Sequence, residues 1–519
     1  MSAPLNAPLD QHWDVIVVGT GMGGGLLGRA LAERGLSVLF VEKGLAGWRT
    51  EEAGLDAGIA DPVARAIRGA WPEPLEVTQD GLPRTFFAPL GSGVGGSSVF
   101  YAATLERPEP RDLDDHPSGA WPVSHAAMRP WFERAEAMLA VEGEADPLSS
   151  TPVPTLRAPP PPGPADAAIM ARLRANGMHP YRLHAGLRRL PGCAECLGRK
   201  CPRACKMDGR SAGVEPALAT GRAGLLTGCE ALRLVGTASR VTGIEARRGG
   251  EALTLRAPRI VLAAGALSTP RLLLASTGEA WPGGCGNGAD LVGRHLMLHL
   301  NETFAVWPGA GDHSPSKAVG LRDLMVVEGR RMGMVQAMGV DAREPEILHY
   351  MRERLAARPL GRTRLAREGA RLPARIATGL LGTAKLFVGL LEDFPDAANR
   401  VTLDPARPSR IVATYAVPAE LRARRALFRR AIGRAFRGLR PVFLHQAPEP
   451  NWGHACGTTR MGLDPATSVV DASCRVHGIE NLWVADAGVF PTSMGVNPSL
   501  AIAANALRVA DAIAREAGR

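Results

Sequence analysis

The sequence predicts an α/β protein (α+β overall), in which a parallel sheet of the dinucleotide-binding type is joined to a mainly antiparallel region. The first observation is the order at the start of the chain: the β-branched run Val15–Val18, a glycine-rich turn, a helical pattern and a second apolar run, Val38–Val41. The second observation is that residues 301–451 mix strand-like pieces with arginine-rich helical segments. At 519 residues the chain is long enough for two domains.

The glycine-rich turn, GTGMGG from Gly19 to Gly24, fits the pattern G-x-G-x-x-G. In that pattern the first glycine allows a tight turn, the second lets the backbone approach a pyrophosphate, and the third lets the helix pack closely on the strand. Glu42 follows the second strand about 20 residues on, where a carboxylate can accept hydrogen bonds from a ribose. This context predicts a dinucleotide site rather than a structural turn, but it does not distinguish NAD from FAD.

The later segments predict a second glycine-rich loop, several short strands and two long helices. In chain order they are loops and a short helix at 48–79, a packed loop at 89–110, an amphipathic helix within 121–143, an extended proline-rich connection at 151–164, strands at 252–256 and 259–263, a helix after Ser268, a strand at 481–485 and a last helix at 500–514. The strand that runs into Ala264 and Gly265 brings a second backbone turn to the carboxyl end of a sheet, which again suits a ligand.

The charge of the chain is basic, with 61 Lys and Arg against 51 Asp and Glu. The excess concentrates in residues 352–375 and 422–440, where it alternates with Leu and Ala at helical spacing, so we interpret it as solvated helix faces and expect no nucleic-acid partner. The apolar run 376–391 contains Lys385 and is too interrupted to span a bilayer, so membrane association is at most peripheral. The N-terminus lacks a secretory pattern, and a cytoplasmic protein is expected.

Four of the eight cysteines lie close together, at Cys193, Cys196, Cys201 and Cys205. Such density suits thiolate ligation of Zn²⁺ or of an Fe–S cluster. The spacing differs from the ferredoxin run, and the alternative is a loop of buried thiols or disulfides. We favour this structural interpretation and assign no metal ligand.

Four separated segments resemble the glucose–methanol–choline (GMC) flavoprotein oxidoreductases. They are GTGMGG…VEK, GVGGSS, AAGALSTPRLLLAS and the C-terminal run from HACGTTRMG to GVNP, with weaker matches at LVGRHLMLH and FPDAANRVTL. The segments follow the family's order over nearly the whole chain, and GVNP is most similar to the cholesterol-oxidase-like branch. The resemblance implies FAD as the cofactor, a small-molecule alcohol as the substrate, and oxygen or an electron carrier as the acceptor.

The resemblance also implies a Rossmann-like FAD-binding domain that is discontinuous in sequence, because the substrate domain is inserted between its pieces. The FAD-binding pieces are 12–107, 206–300 and 452–519. The substrate or cap domain is 108–205 and 301–451, including the Cys-rich loop 193–205.

The residues carried over to FAD binding come from each of the family's segments. They are Gly19, Thr20, Gly21, Met22, Gly24, Glu42, Lys43, Gly93, Gly95, Gly96, Ser97, Ala102, Ala231, Ala264, Gly265, Asp486, Ala487, Asn497 and Pro498. Some branches attach the flavin covalently to a histidine of the second glycine-rich loop. Residues 89–110 contain no histidine, so noncovalent FAD is expected. Tyr101 stands where the family usually has Asn, and it suits either flavin contact or core packing.

Two residues match the family's catalytic positions: His454, in H-x-x-G-T, and Asn497, in GVNP. Oxidising an alcohol requires a group that takes the hydroxyl proton while the carbon gives hydride to flavin N5, and an imidazole can be that general base. The Asn497 amide can hydrogen-bond the substrate oxygen. We interpret the other candidate histidines as structural residues of the core or surface: His295, His299, His445 and His477.

Two alternatives remain open from the sequence alone. One is a non-redox, FAD-containing lyase on the same fold, and the other is a basic nucleic-acid- or membrane-binding protein with a vestigial flavin site. Bleaching of the flavin by an alcohol would argue against the first, and flavin in the purified protein would argue against the second.

Resemblance to the cholesterol-oxidase-like branch and the apolar run 376–391 favour a bulky or hydrophobic alcohol as the substrate.

Overall fold

The computed structural model describes residues 11–45, 69–309, 316–340, 344–356, 361 and 363–519. The strands within these ranges are β1 Val15–Val18, β2 Val38–Val41, β3 Leu75–Gln79, β4 Leu82–Phe86, β5 Val141–Glu142, β6 Ala185–Gly186, β7 Ala223–Leu226, β8 Cys229–Thr237, β9 Arg240–Arg248, β10 Glu251–Leu255, β11 Arg259–Leu262, β12 Leu300–Val306, β13 Gly320–Leu321, β14 Val326–Val327, β15 Arg330–Arg331, β16 Val335–Ala337, β17 Lys385–Leu391, β18 Arg400–Thr402, β19 Val412–Tyr415, β20 Val442–Phe443 and β21 Leu482–Val484. The α-helices are α1 Met22–Glu33, α2 Pro110–Leu113, α3 His125–Met138, α4 Pro164–Ala175, α5 Glu215–Ala219, α6 Ser268–Ala275, α7 Glu344–Ala356, α8 Arg364–Gly369, α9 Arg371–Leu381, α10 Ala419–Ala435 and α11 Ser499–Glu516.

A parallel sheet with the order β21-β11-β1-β2-β7 forms the centre of the first half of the fold. Its strands are four-residue or shorter apolar runs that are buried on both faces, as expected for a sheet covered by helices. Helices α1 and α11 pack together and bury their apolar faces in the same core as this sheet. The α/β class predicted from the opening βαβ unit is therefore confirmed.

The second half is built on an antiparallel sheet with the order β13-β16-β17-β12-β20. Helix α10 covers this sheet, and Leu421, Phe428 and Ile432 belong to its core together with Phe304 and Phe387 of the strands. A separate three-stranded antiparallel sheet, β10-β9-β8, packs on the helix that follows β11. The expected mainly antiparallel character of residues 301–451 is thus observed.

One predicted element differs from the structure. Residues 48–79 were expected to form loops and a short helix, but their last part is the strand β3, which pairs in parallel with β19 and antiparallel with β4. Leu75, Val77 and Gln79 of β3 are buried while the residues between them face outward, the alternation of a half-buried strand. The parallel partner is more than 300 residues away, so tertiary pairing decides this strand. Residues 46–68 lie outside the described residues.

The arginine-rich helices are not uniformly solvated, which corrects the interpretation of residues 422–440. Arg424 of α10 is buried and donates to the carbonyls of Arg331 and Glu392 at 3.0 and 2.7 Å. Arg425 and Arg429 pair with the buried carboxylate of Glu302. These cations therefore hold α10 on the antiparallel sheet.

The apolar run 376–391 is divided between the end of α9 and strand β17. No described helix is long and apolar enough to cross a membrane.

Candidate active site

A cavity of about 430 Å³ opens between the carboxyl end of the parallel sheet and the antiparallel sheet that contains β12, β16 and β17. Most of the predicted site residues line it: Gly19, Thr20, Gly21, Met22, Glu42, Lys43, Gly96, Ser97, Ala102, Ala231, Ala264, Gly265, His454, Asp486, Ala487, Asn497 and Pro498. Gly24, Gly93 and Gly95 are not on its wall. They lie behind it and shape the two glycine-rich loops.

The first glycine-rich loop presents the N-terminus of α1 to the cavity. A β-carbon on Gly21 would meet no protein atom within 4 Å, so the cavity side of this residue is open. A β-carbon on Gly24 would lie 2.1 Å from the carbonyl oxygen of Gly19, so Gly24 permits the close approach of helix and strand that the motif predicts. The unpaired N–H groups at a helix N-terminus favour a phosphate.

Thr20 and Glu42 tie the two glycine-rich loops together. Oε2 of Glu42 accepts from the Thr20 hydroxyl at 2.5 Å and from the Thr20 N–H at 3.3 Å. The Thr20 hydroxyl oxygen in turn accepts from the Gly95 N–H at 3.2 Å. Burial raises the pKa of Glu42, and these hydrogen bonds oppose the rise. The carboxyl group is thereby held on the cavity wall with Oε1 bonded to one donor, the Gly44 N–H at 3.0 Å.

Asp486 holds the ends of strands β11 and β21 beside each other. Its Oδ2 accepts from the Gly265 N–H at 2.9 Å and from the Thr269 hydroxyl at 2.6 Å, and its Oδ1 accepts from the Gly488 N–H at 2.8 Å. Burial raises the pKa of Asp486, against these three hydrogen bonds. The carboxyl group therefore keeps the Gly265 turn on the cavity wall.

These residues fit FAD. The open face of Gly21 at a helix N-terminus suits the pyrophosphate, and the buried Glu42 carboxyl at the end of β2 suits ribose hydroxyls. Lys43, which follows β2 closely, Ala231 of β8 and Asn497 also line the cavity. The wall thus offers groups suited to a pyrophosphate and to a ribose.

His454 ends a short 3₁₀ turn, Trp452–His454, that is capped by the side chain of Asn451. Its ring meets the ring of His299 edge to face, with the centroids 5.1 Å apart. The two Nδ1 atoms are 3.0 Å apart, and Nε2 of His299 lies 2.8 Å from the carbonyl oxygen of Met494. His299, interpreted from the sequence as a structural histidine of the core or surface, is buried and lies against the predicted base.

The carbonyl of Met494 determines the tautomers of both rings. A carbonyl only accepts, so Nε2 of His299 carries its proton and Nδ1 of the neutral ring is an acceptor. Nδ1 of His454 must then donate to Nδ1 of His299. Nε2 of His454 is left with a lone pair, and no residue in the described ranges is hydrogen-bonded to it. The pKa of His454 is held well below its ordinary value by burial, and further by His299 and Lys317, which keeps the imidazole neutral.

Asn497 is oriented by a glutamine that the sequence did not indicate. Nε2 of Gln336, on β16, donates to Oδ1 of Asn497 at 2.9 Å. Both residues line the cavity, and the amide NH₂ of Asn497 is therefore the group left to donate to a ligand. Pro498, which follows directly, caps the N-terminus of α11 and fixes the backbone at this position.

Lys317 is a buried amine on the cavity wall. Burial lowers the pKa of Lys317 to about 7, while Glu106 acts in the opposite direction. The Glu106 carboxylate is already bonded to Arg322 at 2.5 Å and to the Tyr181 hydroxyl at 2.8 Å. Near neutral pH the ammonium form is therefore only partly populated, and when present it disfavours protonation of His454.

Tyr101 lies on the cavity wall and is also held in place by the surrounding fold. It lines the cavity, and its hydroxyl donates to the carbonyl of Met207. Its own carbonyl accepts from the Lys206 ammonium and from the Gly198 N–H, each at 3.2 Å. Tyr101 therefore joins the second glycine-rich loop to the Cys-rich loop.

The four clustered cysteines form two close pairs rather than one group. Cys196 is hydrogen-bonded to Cys201, and Cys193 is hydrogen-bonded to Cys205. Burial and the neighbouring thiol raise the pKa of Cys205 to about 11. Within the described part of the chain, no group of three or more His, Cys, Asp or Glu side chains is placed to hold a metal ion.

Three residues close to His454 and Asn497 could not be assigned to this site from the sequence: His299, Gln336 and Lys317. His299 lies in LVGRHLMLH, one of the weaker matching segments, but no spacing relates it to a residue 155 positions later. An antiparallel pairing brings the two segments together: the Asn451 N–H donates to the carbonyl of His299 at 2.8 Å. Gln336 and Lys317 carry no motif, so only the tertiary structure could reveal them.

Comparison with known proteins matches both parts of the chain. A model described as GMC oxidoreductase matches residues 16–301, and a second with the same description matches residues 395–506. The chain is 30% identical to paromamine 6'-oxidase of Streptomyces fradiae, over 97% of this chain and 92% of that protein. It is 27% identical to 2-methyl-1,2-propanediol dehydrogenase of Mycolicibacterium austroafricanum, over 97% and 95%. The structure of formate oxidase from Aspergillus oryzae covers 98% of this chain and 99% of its own, with a TM-score of 0.67 at 16% identity.

The first of these models alone spans more than half of the chain. The predicted family, the oxidoreductase class and FAD as the cofactor are therefore confirmed. The protein belongs to the GMC oxidoreductase family, and its activity is the FAD-dependent oxidation of an alcohol.

Proposed function

We propose that this protein binds FAD noncovalently and oxidises an alcohol with His454 as the general base and Asn497 as its partner. The observation that carries the proposal is the hydrogen bond between Nδ1 of His454 and Nδ1 of His299, because it leaves Nε2 of His454 as a proton acceptor on the cavity wall. The relatives named for paromamine and for 2-methyl-1,2-propanediol support an alcohol as the substrate.

In the proposed reaction the substrate hydroxyl donates its proton to Nε2 of His454. Bound FAD would accept the hydride that leaves the carbon bearing this hydroxyl. The NH₂ group of Asn497, oriented by Gln336, donates to the substrate oxygen as negative charge develops on it. Once protonated at Nε2, His454 still donates through Nδ1 to His299, so the ring keeps its orientation during the proton transfer.

The cavity wall suits an alcohol with both polar and apolar parts. Asn301, Lys317, Gln336 and Asn451 offer hydrogen-bonding groups, while Met338, Val340, Val388 and Leu390 offer apolar surface. This lining supports a substrate larger than a simple short alcohol. We also propose the domain bounds that the resemblance implies. In this division, the strands of residues 301–451 form the side of the cavity that contacts the substrate.

The test is the absorption spectrum of the anaerobic protein before and after a panel of alcohols is added. Bleaching of the flavin by an alcohol supports the proposal, and recovery in air identifies oxygen as the acceptor. A flavin that stays oxidised with every alcohol in the panel would contradict the proposal. Release of FAD into the supernatant after acid precipitation tests noncovalent binding, and a flavin that stays with the pellet would contradict it.

Replacing His299 by leucine is expected to slow flavin reduction about 10-fold, the effect of losing the one hydrogen bond that orients the base. The leucine fills the space but cannot accept from Nδ1 of His454, so the base is no longer held in the productive tautomer. Stopped-flow reduction rates measure this at saturating alcohol. His299→Gln keeps an acceptor and should recover part of the rate, and equal rates in both variants would contradict the orienting role.

Replacing Lys317 by methionine is expected to move the acid limb of kcat/KM to higher pH. The Lys317 ammonium lowers the pKa of His454, so removing it lets His454 hold its proton at higher pH and the base is lost sooner as pH falls. Since the pKa of Lys317 is about 7, the effect is confined to acidic solution, where kcat/KM should fall about threefold. Lys317→Arg keeps the charge and should follow the wild type. An unchanged profile in Lys317→Met would exclude this coupling.

A further inference from the structure

The helices α7, α8 and α9 form an insertion that packs mainly on itself. They lie between strands β16 and β17 of the antiparallel sheet. Leu348 of α7 and Ala370 and Ala374 of the α8–α9 region make a small hydrophobic cluster of their own, apart from the two main cores. The insertion is therefore a separate feature on the surface of the antiparallel half.

Helix α9 turns its small residues inward and its large apolar residues outward. Ala374 is fully buried, whereas Leu372, Ile376 and Leu380 are 68%, 56% and 67% exposed. These three side chains follow each other at intervals of four residues, so they form one stripe along the helix. A helix of a soluble protein usually buries such a stripe. On the neighbouring helix α8, Leu365 is 85% exposed.

Basic residues accompany this stripe. Residues 363–381 contain four arginines, Arg364, Arg367, Arg371 and Arg375, against one glutamate, Glu368. Arg371 and Arg375 of α9 are exposed, and their carboxylate neighbours, Glu368 at 2.6 Å and Glu344 at 3.9 Å, are exposed as well, so these ion pairs are screened by solvent. The insertion thus combines an uncovered apolar stripe with a net positive charge.

We propose that helix α9, Arg371–Leu381, docks on the surface of an anionic lipid bilayer. An amphipathic basic helix of this kind lies in the plane of the membrane interface, with its leucines in the acyl boundary and its arginines against the anionic headgroups. The excess of arginine over glutamate is the charge complement of such a surface. A nucleic acid would use the arginines but not the leucine stripe, and a second copy of this chain would bring the same positive charge.

The insertion is connected to strands that form the active-site cavity. Gln336 of β16 and Val388 and Leu390 of β17 line that cavity, and so does Val340, just before the insertion. Docking through α9 would therefore hold at the membrane surface a segment that is joined directly to two strands of the cavity wall. This inference does not depend on the proposed catalytic residues.

The experiment is cosedimentation of the full-length holoprotein with vesicles of phosphatidylcholine that contain phosphatidylglycerol, compared with phosphatidylcholine alone. We expect binding to the anionic vesicles only, falling at least about fivefold when the salt is raised from about 0.1 to about 0.5 M. The triple variant Leu372→Ser, Ile376→Ser, Leu380→Ser should lose binding about tenfold. The matched control replaces three exposed leucines elsewhere, Leu82→Ser, Leu148→Ser and Leu463→Ser, and should bind as the wild type does.

Several outcomes would overturn the proposal. The first is equal vesicle binding by the α9 variant and the wild type, and the second is wild-type protein that stays in the supernatant. A third is a concentration-dependent dimer in light scattering that only the α9 variant loses, since the stripe would then serve a second copy. Unchanged flavin content and melting temperature in the α9 variant establish that it is folded, so a loss of binding is a property of the stripe.

Discussion

Replacing His454 by alanine is expected to slow the reduction of the bound flavin by an alcohol about 10³-fold, within the range for loss of a positioned general base. The variant lacks the one imidazole that the described residues bring to the cavity wall, so the substrate proton loses its positioned acceptor. FAD content should be unchanged, since the predicted dinucleotide-binding residues are untouched. Anaerobic stopped-flow absorbance measures the reduction rate, and the flavin spectrum of the purified variant measures FAD content.

The pH dependence adds a second test of the same residue. Burial, His299 and Lys317 lower the pKa of His454, so the neutral base persists as pH falls below the ordinary range of histidine. The wild type should therefore keep its reduction rate into mildly acidic solution, and the alanine variant should lose the acid limb altogether. His477→Ala is the matched control, because His477 is hydrogen-bonded to Ser468 away from the cavity. Equal reduction rates in His454→Ala and the wild type would reject His454 as the base.

Replacing Gly21 by alanine is expected to weaken FAD binding about 10- to 100-fold, the cost of overpacking a close-fitting site by one methyl group. The backbone can accept the change, since Gly21 has φ −64° and its new β-carbon meets no protein atom within 4 Å. The methyl group would instead occupy the open side of the loop, where the pyrophosphate is expected. Titration of the apoprotein with FAD, followed by quenching of flavin fluorescence, gives the Kd.

Two further glycine variants separate lost binding from lost stability. A β-carbon on Gly23 would lie 1.8 Å from the carbonyl oxygen of Ala485, so Gly23→Ala should lower the melting temperature of the apoprotein itself. Gly433→Ala, in α10, meets no atom within 4 Å and lies off the cavity, so it should leave both quantities close to the wild type. Wild-type affinity for FAD in Gly21→Ala would contradict the assignment of this loop to the pyrophosphate.

Local sequence patterns were enough to predict the strands and helices whose packing partners are close in the chain. The run Val15–Val18, the glycine-rich turn and Val38–Val41 form the predicted βαβ unit, and all three glycines of the motif have the surroundings it requires. The strand β3 was missed because its alternation is short and its parallel partner, β19, lies far along the chain. Arg424 was assigned to solvent because helical spacing does not say which face of a helix is covered.

The sequence by itself determined the family, and it indicated the two glycine-rich loops expected to bind flavin and the two residues expected at the reacting centre. Each of these lies in a short segment with a characteristic residue order. The tertiary structure decided the hydrogen bonds and the pKa of the residues expected at this centre. His299, Gln336 and Lys317 reach His454 and Asn497 from separate strands and loops, and hydrogen-bond direction and pKa depend on neighbours in space. The exposed stripe of α9 could likewise be recognised only from the tertiary structure. Sequence periodicity shows that a helix has an apolar face, but only packing shows that this face is left uncovered.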